Sequence, residues 1–204
     1  MRVDLQRQIH ETEEFIRWLD AKIDGLEIPG TKQAKMAGCC LDVALEHQKA
    51  VVVLAGKKIY SSVLALLRPL NEAYVRGAWL HRCASDQDID RYEKGKRKPS
   101  EFGFYLDALE QTQVFKGGTL SKAKEANWKT LNDFTHSGIG QVSRRFKEDS
   151  IQPNYSETEI SYALDFANAY GALAAIEICC LANNATLAED VLKNAMQLIN
   201  QSDG

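Results

Sequence analysis

The feature that most constrains this chain is a helix-forming stretch that is apolar on nearly every side and still carries three charges. It runs from Leu66 to His81. Within it, Arg68, Glu72 and Arg76 form one stripe, because residues four apart are neighbours on a helix surface. A helix with apolar residues on both sides of such a stripe needs other helices around it. These charges must therefore be paired or put to use, since an unpaired buried ion is costly.

Helical periodicity continues through nearly the whole chain, and no run shows sustained strand alternation. The sequence predicts an all-α fold, a multi-helix bundle of roughly seven to nine helices. A buried helix at about 61–84 and a long apolar helix at about 157–182 are expected at its centre. We expect a single helical domain over residues 1–204, with a less regular excursion at about 94–118.

Capping residues and helix breakers predict where the other helices begin and end. Residues 139–146 are expected to form a short helix, residues 149–155 a loop and residues 201–204 a polar tail. The predicted starts of helices are Thr31, Ser85 or Asp86, Thr119 or Ser121, a capping box at Ser156–Glu159, and Thr186.

The overall charge argues against a general nucleic-acid binder, since the net charge is −3. Basic residues do gather in two places, where they favour either an electrostatic footprint for RNA or ordinary solvated surface. These residues are Lys94, Lys96, Arg97 and Lys98, followed by Arg144, Arg145 and Lys147.

The cysteines and the apolar runs indicate a cytoplasmic protein without a membrane span. The apolar run Ala169–Ala182 contains Glu177 and is shorter than the ~20 residues that a bilayer requires. The start of the chain does not resemble a secretory signal. Four of the five cysteines form the adjacent pairs Cys39–Cys40 and Cys179–Cys180, a spacing that suits neither a metal site nor a disulfide on a helix. Reduced thiols are expected.

Motifs of cofactor-dependent enzymes are missing from the sequence. It has no P-loop, GxGxxG, HExxH or GxSxG, and it lacks the paired Glu-x-x-His motifs of di-iron bundles. We therefore expect neither a cofactor nor a metal.

The charged stripe admits two interpretations. It is either a structural ion-pair network that orients neighbouring helices, or a ligand site formed by Arg68 and Glu72 together with Arg76. The forked guanidinium of arginine suits phosphate and carboxylate ligands, which supports the second interpretation.

Arg76 is also the first residue of an RxxxxH spacing that ends at His81. An ideal helix separates the two side chains by about 140° and places His81 on the apolar face. The spacing resembles the motif of the HEPN superfamily, helical bundles that often act as metal-independent ribonucleases in toxin–antitoxin and phage-defence systems. The resemblance implies that Arg76 binds phosphate, that His81 transfers protons, and that two subunits complete the site.

A second polar cluster follows at residues 131–141, where His136 ends a helix just before a glycine. Asn132 and Asp133 are the candidate binding residues beside it. Together with the Leu-Leu-Arg-Pro-Leu-Asn-Glu-Ala stretch, this segment resembles uncharacterised bacterial helical families similar to the AbiV abortive-infection group. The resemblance implies that Arg68, Glu72 and His136 converge between two packed helices.

Two functional interpretations from different classes follow. The first is a metal-independent, HEPN-like endoribonuclease in phage defence or a toxin–antitoxin system, with Arg76, His81 and His136 as candidate catalytic residues. In it, Arg68 or Arg76 would bind phosphate, and His81 or His136 would act as acid or base. The second is a non-enzymatic helical module that dimerises or binds a partner protein. A homodimer is expected in either case, with RNA or a partner protein as the ligand.

Overall fold

The computed structural model describes residues 4–96 and 102–202, the last three of these through their backbone alone. Within this part of the chain the fold is all-α, as predicted, with nine helices and one short hairpin. The helices are α1 Leu5–Ile23, α2 Lys32–Gly56, α3 Tyr60–Arg82, α4 Asp86–Glu93, α5 Phe102–Glu110, α6 Thr119–Thr135, α7 Ile139–Ser143, α8 Glu157–Leu181 and α9 Ala185–Ser202.

Helices α2, α3 and α8 pack against one another and form the centre of the bundle. Of the 23 residues of α3, 12 are buried, and they occur on most of the helix circumference. Helix α8 buries 14 of its 25 residues. The predicted central helix and the predicted long apolar helix are therefore both confirmed. Helices α1 and α9 cover α8, while α5 and α6 cover α3.

Small residues allow these helices to approach closely. Gly77 of α3 lies against Leu41 of α2, where a Cβ atom would come within 2.7 Å of the leucine side chain. Gly171 of α8 makes room for Gln48, whose side-chain amide donates a hydrogen bond to Asn168 at 3.2 Å. Asn168 in turn donates to Thr12 of α1 at 2.9 Å. This buried chain of hydrogen bonds fixes three helices relative to one another.

Most of the predicted helix caps are confirmed. Thr31 caps α2, and Ser85 and Ser156 each form a capping box with the acidic residue three positions later. Thr186 was the wrong cap for the last helix, because the Asn184 side chain accepts the hydrogen bond from the Leu187 amide one residue before α9 begins. This helix also continues to Ser202, through part of the tail predicted for residues 201–204, of which residues 203 and 204 lie outside the described residues.

The start of α6 and the segment after α7 also differ from the prediction. Gly118 precedes α6 in a left-handed conformation and offers no side-chain cap, so neither Thr119 nor Ser121 caps this helix. Helix α7 ends at Ser143, and a two-stranded antiparallel hairpin follows, with β1 at Phe146–Lys147 and β2 at Ser150–Ile151. Glu148 has φ of +53° at its turn. A left-handed turn residue stops the expected helix and pairs the flanking residues instead.

The predicted excursion at about 94–118 contains α5, whose apolar side chains join the core. Tyr105 packs against Trp79 of α3 with ring centroids 4.8 Å apart, and Phe102 stacks on Trp128 of α6 at 4.7 Å. Residues 97–101, which include Arg97 and Lys98 of the first basic group, lie outside the described residues.

By length and composition, α8 could cross a membrane, and among the described helices it alone passes that test. Of its most apolar stretch, 61% is buried inside the protein, as in the core helix of a soluble protein. The five cysteines are free thiols.

The contact between α2 and α3 predicts an asymmetric response to two glycine substitutions. Gly77→Ala should destabilise the protein by about 1–3 kcal/mol, because the new methyl group overlaps Leu41. Gly56→Ala is the matched control, since its Cβ would lie 3.9 Å from Ile9, an ordinary contact. Urea denaturation measures both free energies of unfolding. Equal values for the two variants would contradict the close approach.

Candidate functional site

The charged stripe of α3 forms a compact network around one carboxylate. Arg68 Nε donates to one oxygen of Glu72 and Arg76 Nη2 donates to the other, both at 2.7 Å. The side chains of Arg68, Glu72 and Arg76 are 17%, 13% and 22% exposed, respectively. Two cations therefore share one anion, and the network retains a net positive charge in a place where water only partly screens it.

A proline in α3 provides the attachment point for the second half of the site. Pro69 has no backbone N–H, so the carbonyl of Ala65 lacks the hydrogen-bond donor that a regular helix supplies four residues later. The hydroxyl of Thr135, the last residue of α6, lies 3.3 Å from that carbonyl and 2.8 Å from its own Leu131 carbonyl. The end of α6 is thereby held one turn from Arg68.

His136 directly follows Thr135 and reaches the charged stripe. Its Nε2 lies 2.5 Å from Arg68 Nη1. A guanidinium can only donate, so Nε2 accepts this hydrogen bond and the ring proton is on Nδ1. The expected convergence of Arg68, Glu72 and His136 is therefore present in the structure. His136 is exposed, so its ring remains open to solvent.

The loop after His136 is shaped by Asp133, one of the two predicted binding residues. Its carboxylate accepts a hydrogen bond from the Gln141 amide at 3.1 Å. The same carboxylate occupies the space that a Cβ at Gly138 or Gly140 would need, which explains both glycines. Asp133 thus holds the loop. Asn132 accepts a hydrogen bond from the His136 amide through its main-chain carbonyl.

An aromatic ring supports the Arg68 guanidinium. The Cζ atom of Arg68 lies 5.0 Å from the ring centre of Trp128 on α6, within cation–π distance. The Lys124 ammonium lies 5.8 Å from the same ring. The tryptophan therefore orients Arg68 without neutralising its charge.

These groups border a pocket of about 330 Å³ between α2, α3 and the end of α6. This volume is within the range of small-ligand sites. The pocket brings in His47 of α2, a residue that the motif analysis did not assign to the site. Burial lowers the pKa of His47, which favours its neutral form. Two imidazoles and two guanidiniums thus line one pocket, at His47, His136, Arg68 and Arg76.

The antiparallel register of α2 and α3 is the signal that leads to His47. The contact of Leu41 with Gly77 defines how the two helices are aligned along their length. Moving about six residues along both helices in opposite directions brings His47 level with the stretch containing Glu72. Without the contact, sequence alone gives no such register.

His81, the other predicted catalytic residue, belongs to a different cluster. Its Nδ1 lies 2.7 Å from Glu177 of α8, and Arg82 Nε donates to both oxygens of the same carboxylate at 2.8 and 2.9 Å. The Glu177 side chain is 3% exposed. The RxxxxH pair is therefore divided, because Arg76 bonds to Glu72 whereas His81 bonds to Glu177.

The described residues form no metal site, and the second basic group is partly paired. Among residues 4–96 and 102–202, no three His, Cys, Asp or Glu side chains are placed to share a metal ion. In the second basic group, Arg144 is paired with Glu159, while Arg145 and Lys147 are exposed.

A comparison with protein families places this chain. A family model described as "Family of unknown function (DUF6988)" matches residues 41–201, more than three quarters of the chain. The protein therefore belongs to this family. The matched part contains α3, α6 and every residue assigned above to the pocket. Searches of curated proteins and of solved structures found no match.

The shared carboxylate predicts a test of the pocket as an anion site. Glu72→Gln should lower the free energy of unfolding by about 1–3 kcal/mol, because two guanidiniums lose their counter-charge. Inorganic phosphate should recover part of this loss, since a bound anion replaces the carboxylate. Thermal unfolding with and without phosphate measures both effects. Glu125→Gln, on the exposed face of α6, is the control. A phosphate effect that is equal in the two variants would contradict an anion site.

Proposed function

We propose that this member of the DUF6988 family binds a phosphodiester of RNA in the Glu72 pocket and cleaves it without a metal ion. The observation that carries the proposal is the pairing of His47 and His136 with Arg68 and Arg76 in one pocket. Cleavage of RNA by its own 2′-hydroxyl needs a base, an acid and cations that bind the phosphate. The pocket offers all three.

In the proposed reaction, His47 acts as the base. Its lowered pKa keeps the imidazole neutral near pH 7, so it can accept the proton of the 2′-hydroxyl. The 2′-oxygen then forms a bond to phosphorus while the bond from phosphorus to the 5′-oxygen breaks. The products are a cyclic phosphate and a free 5′-hydroxyl, whose proton comes from His136. Arg68 and Arg76 stabilise the charge that develops on the phosphoryl oxygens.

Substrate binding would prepare His136 for its role as the acid. Without substrate, Nε2 of His136 accepts a hydrogen bond from Arg68. A phosphate competes for that guanidinium, because charge-assisted bonds to phosphate are stronger than bonds to a neutral imidazole. Once released from Arg68, Nε2 can face the leaving oxygen and act as its proton donor.

The proposed biological setting is the one implied by the resemblance to HEPN and AbiV proteins. We place the enzyme in the cytoplasm as a homodimer that acts in phage defence or a toxin–antitoxin system. The HEPN-like assignment gives proton transfer to His81, which Glu177 orients through Nδ1. His81 is therefore the rival proton carrier.

A partner-binding module is the second candidate function, and one surface favours it. Helix α7 and the hairpin expose four large apolar side chains next to the His136 loop. They are Ile139, Val142, Phe146 and Ile151, which are 79%, 52%, 55% and 83% exposed. Such neighbouring exposed side chains are typical of protein interaction sites.

Cleavage of mixed RNA in excess EDTA tests the enzyme. His47→Ala and His136→Ala should each lower the rate by about 10²–10⁴-fold, the usual contribution of a general base or acid. Arg76→Ala should weaken cleavage as a lost phosphate contact. His10→Ala is the control, because this exposed histidine on α1 pairs only with Glu14 in the described chain.

Three results would redirect the proposal. Loss of cleavage in His81→Ala with His47→Ala unaffected would transfer the chemistry to the HEPN-like pair. A rate that disappears in EDTA would make the enzyme metal-dependent. A folded protein that cleaves no RNA would favour the partner-binding module.

The pH dependence of the reaction should identify the base. Burial lowers the pKa of His47, so this histidine loses its proton at a lower pH than an ordinary one. The rising limb of kcat/KM against pH should therefore have its midpoint below about 6.5, the value of an unperturbed histidine. Activity is present above that midpoint and is lost as the pH falls through it. A midpoint above 6.5, or the same limb in a slow His47→Ala variant, would contradict this assignment.

A further inference from the structure

A second pocket, of about 640 Å³, adjoins the proposed site on the far side of Thr135. It lies between the start of α3 and the loop that carries His136. Thr135 lines both pockets, and Ser137, the residue after His136, lines the second. A chain bound across His136 would therefore continue into the second pocket. Its volume suits a nucleotide-sized group.

Two cations line this pocket without a counter-charge from the described residues. Lys58 and Arg145 line it, both are exposed, and neither forms an ion pair within residues 4–96 and 102–202. In the Glu72 pocket, by contrast, Arg68 and Arg76 are both paired with the Glu72 carboxylate. Unneutralised cations attract an anionic ligand more strongly than those already paired. The second pocket therefore favours a ligand with negative charge.

The wall of the pocket also contains a buried acceptor that no group in the described part of the chain satisfies. Gln141 is 9% exposed, and its amide nitrogen donates to the Ser61 carbonyl at 2.8 Å. Its Oε1 atom has no hydrogen-bond partner among the described protein atoms. Leaving such an acceptor unpaired is costly, so a donor that enters from the pocket would stabilise the protein. The pocket therefore favours a ligand that carries both a negative charge and a hydrogen-bond donor.

We propose that the second pocket binds the nucleotide next to the cleaved phosphate, with Lys58 and Arg145 at its phosphate and Gln141 accepting from the amino group of its base. This inference rests on the proposed function, since it assigns an RNA chain to the first pocket. Cytosine, adenine and guanine carry an exocyclic amino group that can donate, whereas uracil has only its ring N3–H. The pocket should therefore prefer a nucleotide with an amino group on its base, such as cytidine, to uridine.

Binding of non-cleavable RNA tests the subsite separately from catalysis. The probe is a short fluorescent oligocytidine with 2′-O-methyl groups, which cannot attack its own phosphate. Fluorescence anisotropy should show that Lys58→Ala/Arg145→Ala weakens binding by about tenfold. The slope of log affinity against log salt should become less steep by about 0.7, the contribution of the one single-strand phosphate that both cations contact. Lys22→Ala/Lys193→Ala removes the same charge from α1 and α9 and is the control.

The base preference provides an independent readout. The wild-type protein should bind oligocytidine more tightly than oligouridine of the same length, and Gln141→Met should abolish the difference. Methionine keeps the length of the side chain but lacks the amide oxygen. The ratio of the two affinities is measured within one variant, so a change in its stability does not alter the comparison.

The outcomes separate this inference from the proposed cleavage. Binding that depends on Lys58, Arg145 and Gln141 supports the subsite even if no RNA is cleaved. Cleavage with equal loss of binding in the test and control variants overturns the subsite and leaves the enzyme standing. Absence of RNA binding overturns both, and binding of an acidic peptide instead would assign the pocket to a protein partner.

Discussion

The candidate site depends on how closely α2 approaches α3. Gly77 lets the Leu41 side chain rest on the α3 backbone, and this contact fixes the register of two antiparallel helices. The register decides which residue of α2 faces the charged stripe. It brings His47 to the pocket that Glu72 borders. Gly77 itself does not line the pocket, although it directly follows Arg76, which does. Its contact with Leu41 helps to determine which α2 residues reach the pocket, because packed helices are rigid.

The two halves of the pocket are joined by a defect in regular structure. Pro69 leaves the Ala65 carbonyl without its helical donor, and Thr135 of α6 approaches that carbonyl. An unsatisfied group in one helix thus becomes the binding position for another. The same contact sets His136 beside Arg68. Features that weaken an isolated helix can in this way specify how helices assemble.

The parts of the structure that local interactions determine could be predicted from the sequence. The ion pairs of Arg68 and Arg76 with Glu72 follow from the four-residue helical spacing, and the cap at Ser156 follows from a pattern of four residues. The parts that depend on contacts between distant segments, or on an unusual backbone conformation, could not be predicted. The bond of His81 to Glu177 joins residues 96 apart, and the turn at Glu148 depends on a left-handed residue that no propensity marks. Membership of His47 in the site likewise required the packed hairpin of α2 and α3.

The two halves of the pocket are anchored to very different extents. Helix α3 buries 12 residues, whereas α6 buries only Leu120, Leu131 and Phe134. Segments with little buried surface open at a lower free energy than the core does. The half that carries His136 can therefore detach while the half that carries the arginines stays folded. Such partial opening would separate His136 from Arg68 and Arg76 and take the pocket apart while the core stays folded.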